Sequence, residues 1–312
     1  MTISRALDLA RAAHGRAHPK PTVGAVVVRD GEIVGEGVTE HDGRHAEVVA
    51  LAAADDRARG ATLYVTLEPC AHHGTTPPCS DAIVAAGVER VVFAARDPNP
   101  EAQGGEDRLR AAGVDVEFVD WFEARALNEA WRTWVTKRRP FVVYKAAVTI
   151  DGRVVVPGRR WVSSEQSRRA VHELRAEVDA VAVGGGTARA DRPRLDAREV
   201  ETPHGQPRRL VFAHGPLPDG LDLERRAGPL LDELHALAAE GVQSLLLEGG
   251  PTLATAFLAE DLVDKVLLFV APVVGGAGPT AVAALPSSRA LTRLAAKPVG
   301  EDVLLEAYVH EP

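Results

Sequence analysis

The chain has 312 residues, about twice a typical domain, and its 46% hydrophobic and 26% charged residues suit a two-domain globular protein with a sizeable core. A net charge of −8 argues against a broad nucleic-acid footprint, which needs clustered Lys and Arg against phosphates. No apolar run approaches the ~18 residues that span a membrane, and the opening MTISRALDLARAAHGRAHPKP lacks the apolar core of a secretory signal, so a cytoplasmic protein is expected.

Ile3, Ala6, Leu7 and Ala10 fall at helical spacing and predict a helix over 3–13, with Thr2 or Ser4 able to cap it. Val23 to Val28 and Glu32 to Val38 read as strands joined by the Asp30-Gly31 hairpin signal. A breaker-free helix is predicted over Ala46 to Ala58, opening at His45, followed by a strand over Ala61 to Leu67. CSDAIVAAGV predicts a helix closed by Gly87, and Val91 to Ala94 a buried strand ended by the turn residues DPNP. A short helix over Arg108 to Gly113, a strand over Val114 to Val119 and a longer amphipathic helix over Trp121 to Thr136 complete the first half. This alternation predicts an α/β sandwich, and the early hairpin makes its sheet mixed.

Lys137-Arg138-Arg139 reads as a solvated linker, and the pattern restarts at PFVVYKAAV, so domains of residues 1–139 and 140–312 are expected. The second half predicts strands over 141–149, 180–183, 209–213, 243–247 and 264–270, and helices over 165–176, 229–240 and 252–259. Residues 189–228, rich in Arg, Asp, Pro and Gly, read mostly as loop.

The chain uses cysteine only twice, at Cys70 and Cys79, and in a reducing compartment metal ligation is the better reading of the pair than a disulfide. A catalytic zinc needs three protein ligands and an open position, and His45, Cys70 and Cys79 supply that set. Both His45 and Cys79 sit at predicted helix starts, where the positive end of the helix favours a thiolate. Glu47 completes a His-x-Glu pair, which in zinc deaminases places a proton shuttle beside the metal rather than a ligand. Zinc lowers the pKa of bound water towards ~7, and Glu47 is expected to carry its proton to a departing ammonia. The alternative is a closed structural site with His72 or His73 as fourth ligand, which leaves Glu47 unexplained. His41, His72 and His73 otherwise read as loop residues, and Glu68 as a residue that caps or orients the loop.

Together HPKPTVGAVVV, HAEVVAL, YVTLEPCAHHGTTPPCSDAI and DPNP resemble the deaminase half of the bifunctional riboflavin-biosynthesis deaminase/reductases. In the second half YKAAVTIDGRVVV, RRWVSSEQSRRAVHELRAEVDAVAVGGGTARADRPRLDAR, LLLEGGPTLATAFL and FVAPVVGG are similar to the family's reductase half. The resemblance implies a cytidine-deaminase-like α/β/α sandwich followed by a dihydrofolate-reductase-like α/β domain. It implies zinc at His45, Cys70 and Cys79 with acid/base catalysis at Glu47, and the long Cys-to-Cys gap favours a free phosphoribosylaminopyrimidine over a nucleic acid. It further implies NADPH contacts at Ala147, Trp161, Thr187, Asp191 and Gly250, and substrate contacts at Arg175, Leu195, Arg198 and Glu248. Arginines suit a ribose phosphate, which a guanidinium grips through two bonds, and Glu248-Gly249-Gly250-Pro251 is a strand-to-helix turn able to seat a pyrophosphate. No GxGxxG fingerprint supports a Rossmann fold. The sequence departs from the family at Lys20, where relatives carry Asn, at Arg159 and Arg160, where relatives have small or amide residues and a serine at the position of Arg159 contacts substrate, and in a shortened span from Arg209 to Gln243. The expected enzyme deaminates the diaminopyrimidine and then reduces its ribosyl group with NADPH, as a homodimer with no nucleic-acid or membrane partner. The alternative is a deaminase whose second domain serves structure or dimerisation.

Overall fold

The computed structural model describes residues 2–15, 17–72, 77–202 and 205–312. The chain divides into two compact units, Met1–Lys137 with Pro312, and Arg138–Glu311.

Among the described residues the first unit holds a five-stranded sheet built from β1 (Gly24–Arg29), β2 (Glu32–Val38), β3 (Thr62–Val65), β4 (Arg90–Phe93) and β5 (Asp115–Phe118), in the order β2-β1-β3-β4-β5. Asp30 and Gly31 both take positive φ, 52° and 83°, as a two-residue hairpin turn requires, and so β1 runs antiparallel to β2. It is also antiparallel to β3, while β3, β4 and β5 run parallel through helical crossovers. Helix α1 (Thr2–Ala12) buries its four predicted apolar positions.

Helix α2 (Ala46–Ala54) lies directly on β2, because a Cβ on Gly35 or Gly37 would stand only 2.2 or 2.3 Å from the carbonyl oxygens of Ala50 and Ala46. That contact fixes the helix bearing Glu47, and His45 is its N-cap. The α-helix stops at Ala54, four residues before the predicted end, where Asp55 turns to φ 52° and a 3-10 turn takes over. Helices α3 (Cys79–Ala85) and α4 (Gly105–Ala111) follow. The single helix expected over 121–136 is two, α5 (Phe122–Leu127) and α6 (Glu129–Lys137). They part at the buried Asn128, whose Oδ1 accepts from Thr22 N–H at 2.8 Å and whose Nδ2 donates to Thr22 O at 2.9 Å. An amide side chain that bonds backbone elsewhere competes with the helix ladder.

The second unit holds an eight-stranded sheet among its described residues. Its strands are β6 (Phe141–Thr149), β7 (Ala180–Gly184), β8 (Arg208–Phe212), β9 (Glu224–Arg226), β10 (Ser244–Leu247), β11 (Lys265–Ala271), β12 (Thr292–Val299) and β13 (Asp302–Tyr308). Their order is β12-β13-β11-β6-β10-β7-β8-β9, parallel from β11 to β9, with an antiparallel β12–β13 hairpin beside β11. Helices α7 (Glu165–Glu177), α8 (Gly185–Asp191), α9 (Leu230–Ala239) and α10 (Pro251–Ala259) connect these strands. The sequence reading missed α8, β9, β12 and β13. Helix α8 grows out of the Gly184-Gly185-Gly186 run, β9 crosses the segment read as loop, and β12 is exposed along nearly its whole length and so lacks the alternation that marks a half-buried strand.

Arg139 is no solvated linker. It is 4% exposed, and its Nη1 and Nη2 donate to Asp264 at 2.6 and 2.8 Å, while Asp264 also accepts from Val142 N–H. This pair ties the start of β6 to the start of β11.

Candidate active sites

In the first unit His45, Cys70 and Cys79 converge, their ligand atoms all within 4.8 Å of one another. His45 Nδ1 lies 3.1 Å from Cys79 Sγ and 3.6 Å from Cys70 Sγ. The fold brings them together from three places: the N-cap of α2, the segment after β3, and the first residue of α3, whose N–H donates to Cys70 Sγ at 3.4 Å. Two soft sulfurs and one imidazole are a zinc donor set. Their separations match the ~3.5 Å between corners of a tetrahedron with ~2.0–2.3 Å bonds, so the residues fit the ion.

Without a metal ion the two thiols are set apart. The Cys79 thiol donates towards Cys70, which holds Cys70 down to about 4, with help from the His45 hydrogen bond, and pushes Cys79 up. Hydrogen bonding to Cys70 also raises His45. A cation in the cluster would keep both sulfurs as thiolates. Glu47 is 4% exposed, and burial raises its pKa to about 7 against the opposing pull of His45. It also meets the Cys79 side chain. A carboxyl poised near neutrality beside a metal donor set can both take and return a proton.

Neither His41, which is exposed, nor His72 belongs to the ligand cluster among the described residues, and His73 lies outside them. Glu68 orients the loop: its carboxylate accepts from the backbone N–H groups of Asp97 at 3.4 Å and Glu106 at 3.2 Å. Gly105 leaves room there, since a Cβ would stand 1.7 Å from Pro69 O. Lys20 lies near the cluster, its Nζ 3.0 Å from where a Gly43 Cβ would stand and its charge felt by His45.

In the second unit a cavity of about 690 Å³ opens over the ends of β6, β7 and β10. Ala147, Trp161, Thr187, Asp191 and Gly250 line it, as do Arg175, Arg198 and Glu248. Leu195 does not line it. Its side chain is 2% exposed in a core cluster with Val181, Ala188 and Leu246, at φ 57°, so it offers the cavity no side-chain contact. Arg159 is exposed and also outside the lining.

Glu248 is the electrostatic centre of this cavity. Arg175 holds its carboxylate through two bonds, at 2.6 and 3.0 Å, and Lys145 Nζ stands 3.4 Å away. Burial alone would raise Glu248, but the two cations outweigh it and hold the carboxyl at about 2. Arg175 also donates to Asp196 O at 3.1 Å, so its fork is filled, whereas the Arg198 side chain is 43% exposed and pairs with Asp196 at 2.6 Å. Lys145, Arg160, Arg168 and His172 line the cavity although the sequence reading gave them no role. A lysine inside the apolar strand β6 was the available signal for the first. The cavity falls in the ~300–1,000 Å³ range of cofactor sites, and α10 opens at Gly250 with Pro251 as its first residue, the kind of helix start that receives phosphate. The residues therefore fit a phosphate-bearing dinucleotide.

Two family models match the chain: the cytidine and deoxycytidylate deaminase zinc-binding region over residues 1–95, and the RibD C-terminal domain over residues 140–305. The riboflavin biosynthesis protein RibD of Aquifex aeolicus is 41% identical, covering 88% of this chain and 86% of that protein. Its counterpart in Escherichia coli is 36% identical over 97% of both. Among solved structures, the diaminohydroxyphosphoribosylaminopyrimidine deaminase/5-amino-6-(5-phosphoribosylamino)uracil reductase of Thermotoga maritima superposes with a TM-score of 0.82 at 32% identity, over 98% of this chain and 97% of that one. RibD of Acinetobacter baumannii gives a TM-score of 0.82 at 31% identity with the same coverage.

Proposed function

We infer the function from the premise that the chain belongs to the RibD family of riboflavin biosynthesis proteins: it is a zinc-dependent deaminase and an NADPH-dependent reductase on one polypeptide. The observation that carries the deaminase assignment is the convergence of His45, Cys70 and Cys79, with the buried Glu47 carboxyl in contact with Cys79. The substrate is 2,5-diamino-6-(5-phosphoribosylamino)pyrimidin-4-one. Water replaces its ring amino group, ammonia leaves, and the ribosyl group is then reduced to ribityl.

His45, Cys70 and Cys79 would hold the zinc ion, which when bound would supply Lewis acidity at neutral pH. Glu47 does the proton work: its carboxylate takes a proton from the attacking water, and its carboxylic acid returns it to the departing amine. A group held near 7 by burial serves both directions.

In the second unit Ala147, Trp161, Thr187, Asp191 and Gly250 line the cavity and would contact NADPH, which when bound would supply the hydride. Glu248, kept ionised by Lys145 and Arg175, accepts hydrogen bonds from the ribose hydroxyls. Arg198, with the less occupied guanidinium, meets the ribose phosphate, and Leu195 contributes through its backbone. Incubating the purified protein with the diaminopyrimidine phosphate, with and without NADPH, and identifying products by mass tests both steps. The deaminated compound should accumulate without NADPH, and the ribityl product with it.

The protein acts on a free small molecule as a homodimer. The open edge strand β12 supports this, with Leu294 72% exposed and Leu291 45% exposed beside it, because an exposed apolar edge is a template for pairing. No helix among the described residues is long and apolar enough to cross a membrane. Both cysteines are free thiols in a cluster that needs them reduced, which fits a cytoplasmic enzyme.

A further inference from the structure

One corner of the reductase cavity carries charge that the reading above does not use. Trp161 lines it with 54% of its surface exposed, unusual for a residue that is highly buried on average. Arg160 Cζ stands 5.1 Å and Arg168 Cζ 5.3 Å from the centroid of its ring, and both arginines line the same cavity. The indole face holds the two guanidiniums in place by cation–π attraction.

Neither arginine has a carboxylate within ion-pair distance among the described residues, although acids outnumber bases 44 to 36 in the chain. Arg168 donates to Ser163 O at 3.0 Å, while its neighbour Arg169 pairs with Glu173 and Arg175 pairs with Glu248. Arg168 also stands four residues after Ser164, the N-cap of the 13-residue α7, where the helix dipole disfavours a cation. Two guanidiniums held against one indole ring, neither with a carboxylate partner among the described residues, make that corner of the cavity a seat for an anion. Local rules broken in this way at the rim of a cavity mark a functional position.

We propose that Arg160 and Arg168, held against Trp161, form a phosphate-monoester subsite that reads the 2′-phosphate distinguishing NADPH from NADH. Guanidinium forks match phosphate oxygens in geometry as well as charge. The inference rests on the reductase reading. That reaction involves a second phosphate monoester, the 5-phosphate of the ribosyl substrate, with the same chemistry.

Isothermal titration of the intact zinc-loaded protein separates the sources. NADP+ and NAD+ form one pair of probes, and the deaminated pyrimidine with and without its phosphate forms the other. The native chain should bind NADP+ at least ~10-fold more tightly than NAD+. Arg160→Ala and Arg168→Ala should each weaken NADP+ by ~10-fold or more, as expected for lost charge-assisted bonds, and leave NAD+ unchanged. Arg169→Ala, on the same helix but outside the cavity, should alter neither, and thermal melting checks that each variant is folded. A loss confined to the phosphorylated pyrimidine would keep the subsite and assign it to the substrate. Equal losses for phosphorylated and unphosphorylated partners, or no loss in a native protein that binds NADP+ tightly, would overturn it. A native chain that binds neither nucleotide removes the reductase reading, and this inference with it.

Discussion

The two sites are built in opposite ways. The cluster in the first unit takes its metal donor set and its proposed proton carrier from one stretch, His45 to Cys79, and depends on burial: Glu47 is driven up to about 7 because burial outweighs the pull of His45 and the hydrogen bonds that favour its charge. The cavity in the second unit gathers residues from β6 to α10 and depends on paired charge: Glu248 is also largely enclosed, its side chain 10% exposed, yet Lys145 and Arg175 hold it at about 2. Two buried glutamates are thus set apart by their neighbours, one to exchange protons and one to stay ionised.

Breaking the first site should have the largest effect. Cys70→Ser removes a soft ligand, so the purified variant should lose its zinc by elemental analysis and its ammonia release should fall to background. NADPH oxidation with supplied deaminated intermediate should persist. In the second site, Glu248→Gln leaves two enclosed cations without their carboxylate. A loss of about 3–5 kcal/mol in unfolding free energy is expected by chemical denaturation.

The same carboxylate gives a pH signature. Its pKa in the folded chain is about 2, below the ordinary 4.5, so its stabilisation is complete above pH ~4.5 and drains away as pH falls towards 2. Denaturation midpoints followed across that window should slope in the native protein and slope less steeply in Glu248→Gln, the remainder belonging to other lowered carboxylates such as Glu36 and Asp42. A native curve without slope there would contradict the paired-charge account.

Smaller effects sharpen the contrast. Asn128→Ala removes both bonds to Thr22 and should cost about 1–3 kcal/mol in the first unit without changing zinc content. The proposed pairing through the β12 edge predicts that Leu294→Glu shifts sedimentation towards monomer while leaving both active sites folded.

The construction of each site also governs how much of it the sequence discloses. A His-x-Glu pair and two cysteines within one stretch are a local pattern, so the ligands and Glu47 are legible before any fold is known. The reductase cavity is not local. Family resemblance points to Trp161, Thr187 and Arg198, but nothing in the order of residues says that Arg175 is already gripped by Glu248. Nor does it say that Leu195 faces the core. Composition misled at Arg139, where a basic run hides one buried partner of Asp264, and periodicity misled at Asn128, where an amphipathic pattern continues through a break made by a hydrogen bond to Thr22. The β12–β13 hairpin escaped because β12, exposed on both faces, carries no alternation to read.

Glu47→Ala tests the central claim most directly, that one chain carries two chemically separate sites. Zinc content, ammonia release and NADPH oxidation with supplied deaminated intermediate are measured on one preparation. The account predicts zinc retained, ammonia release reduced by ~10²–10⁴-fold, and NADPH oxidation at the native rate. Native-rate deamination in the variant, or loss of both activities with zinc still bound, would contradict it.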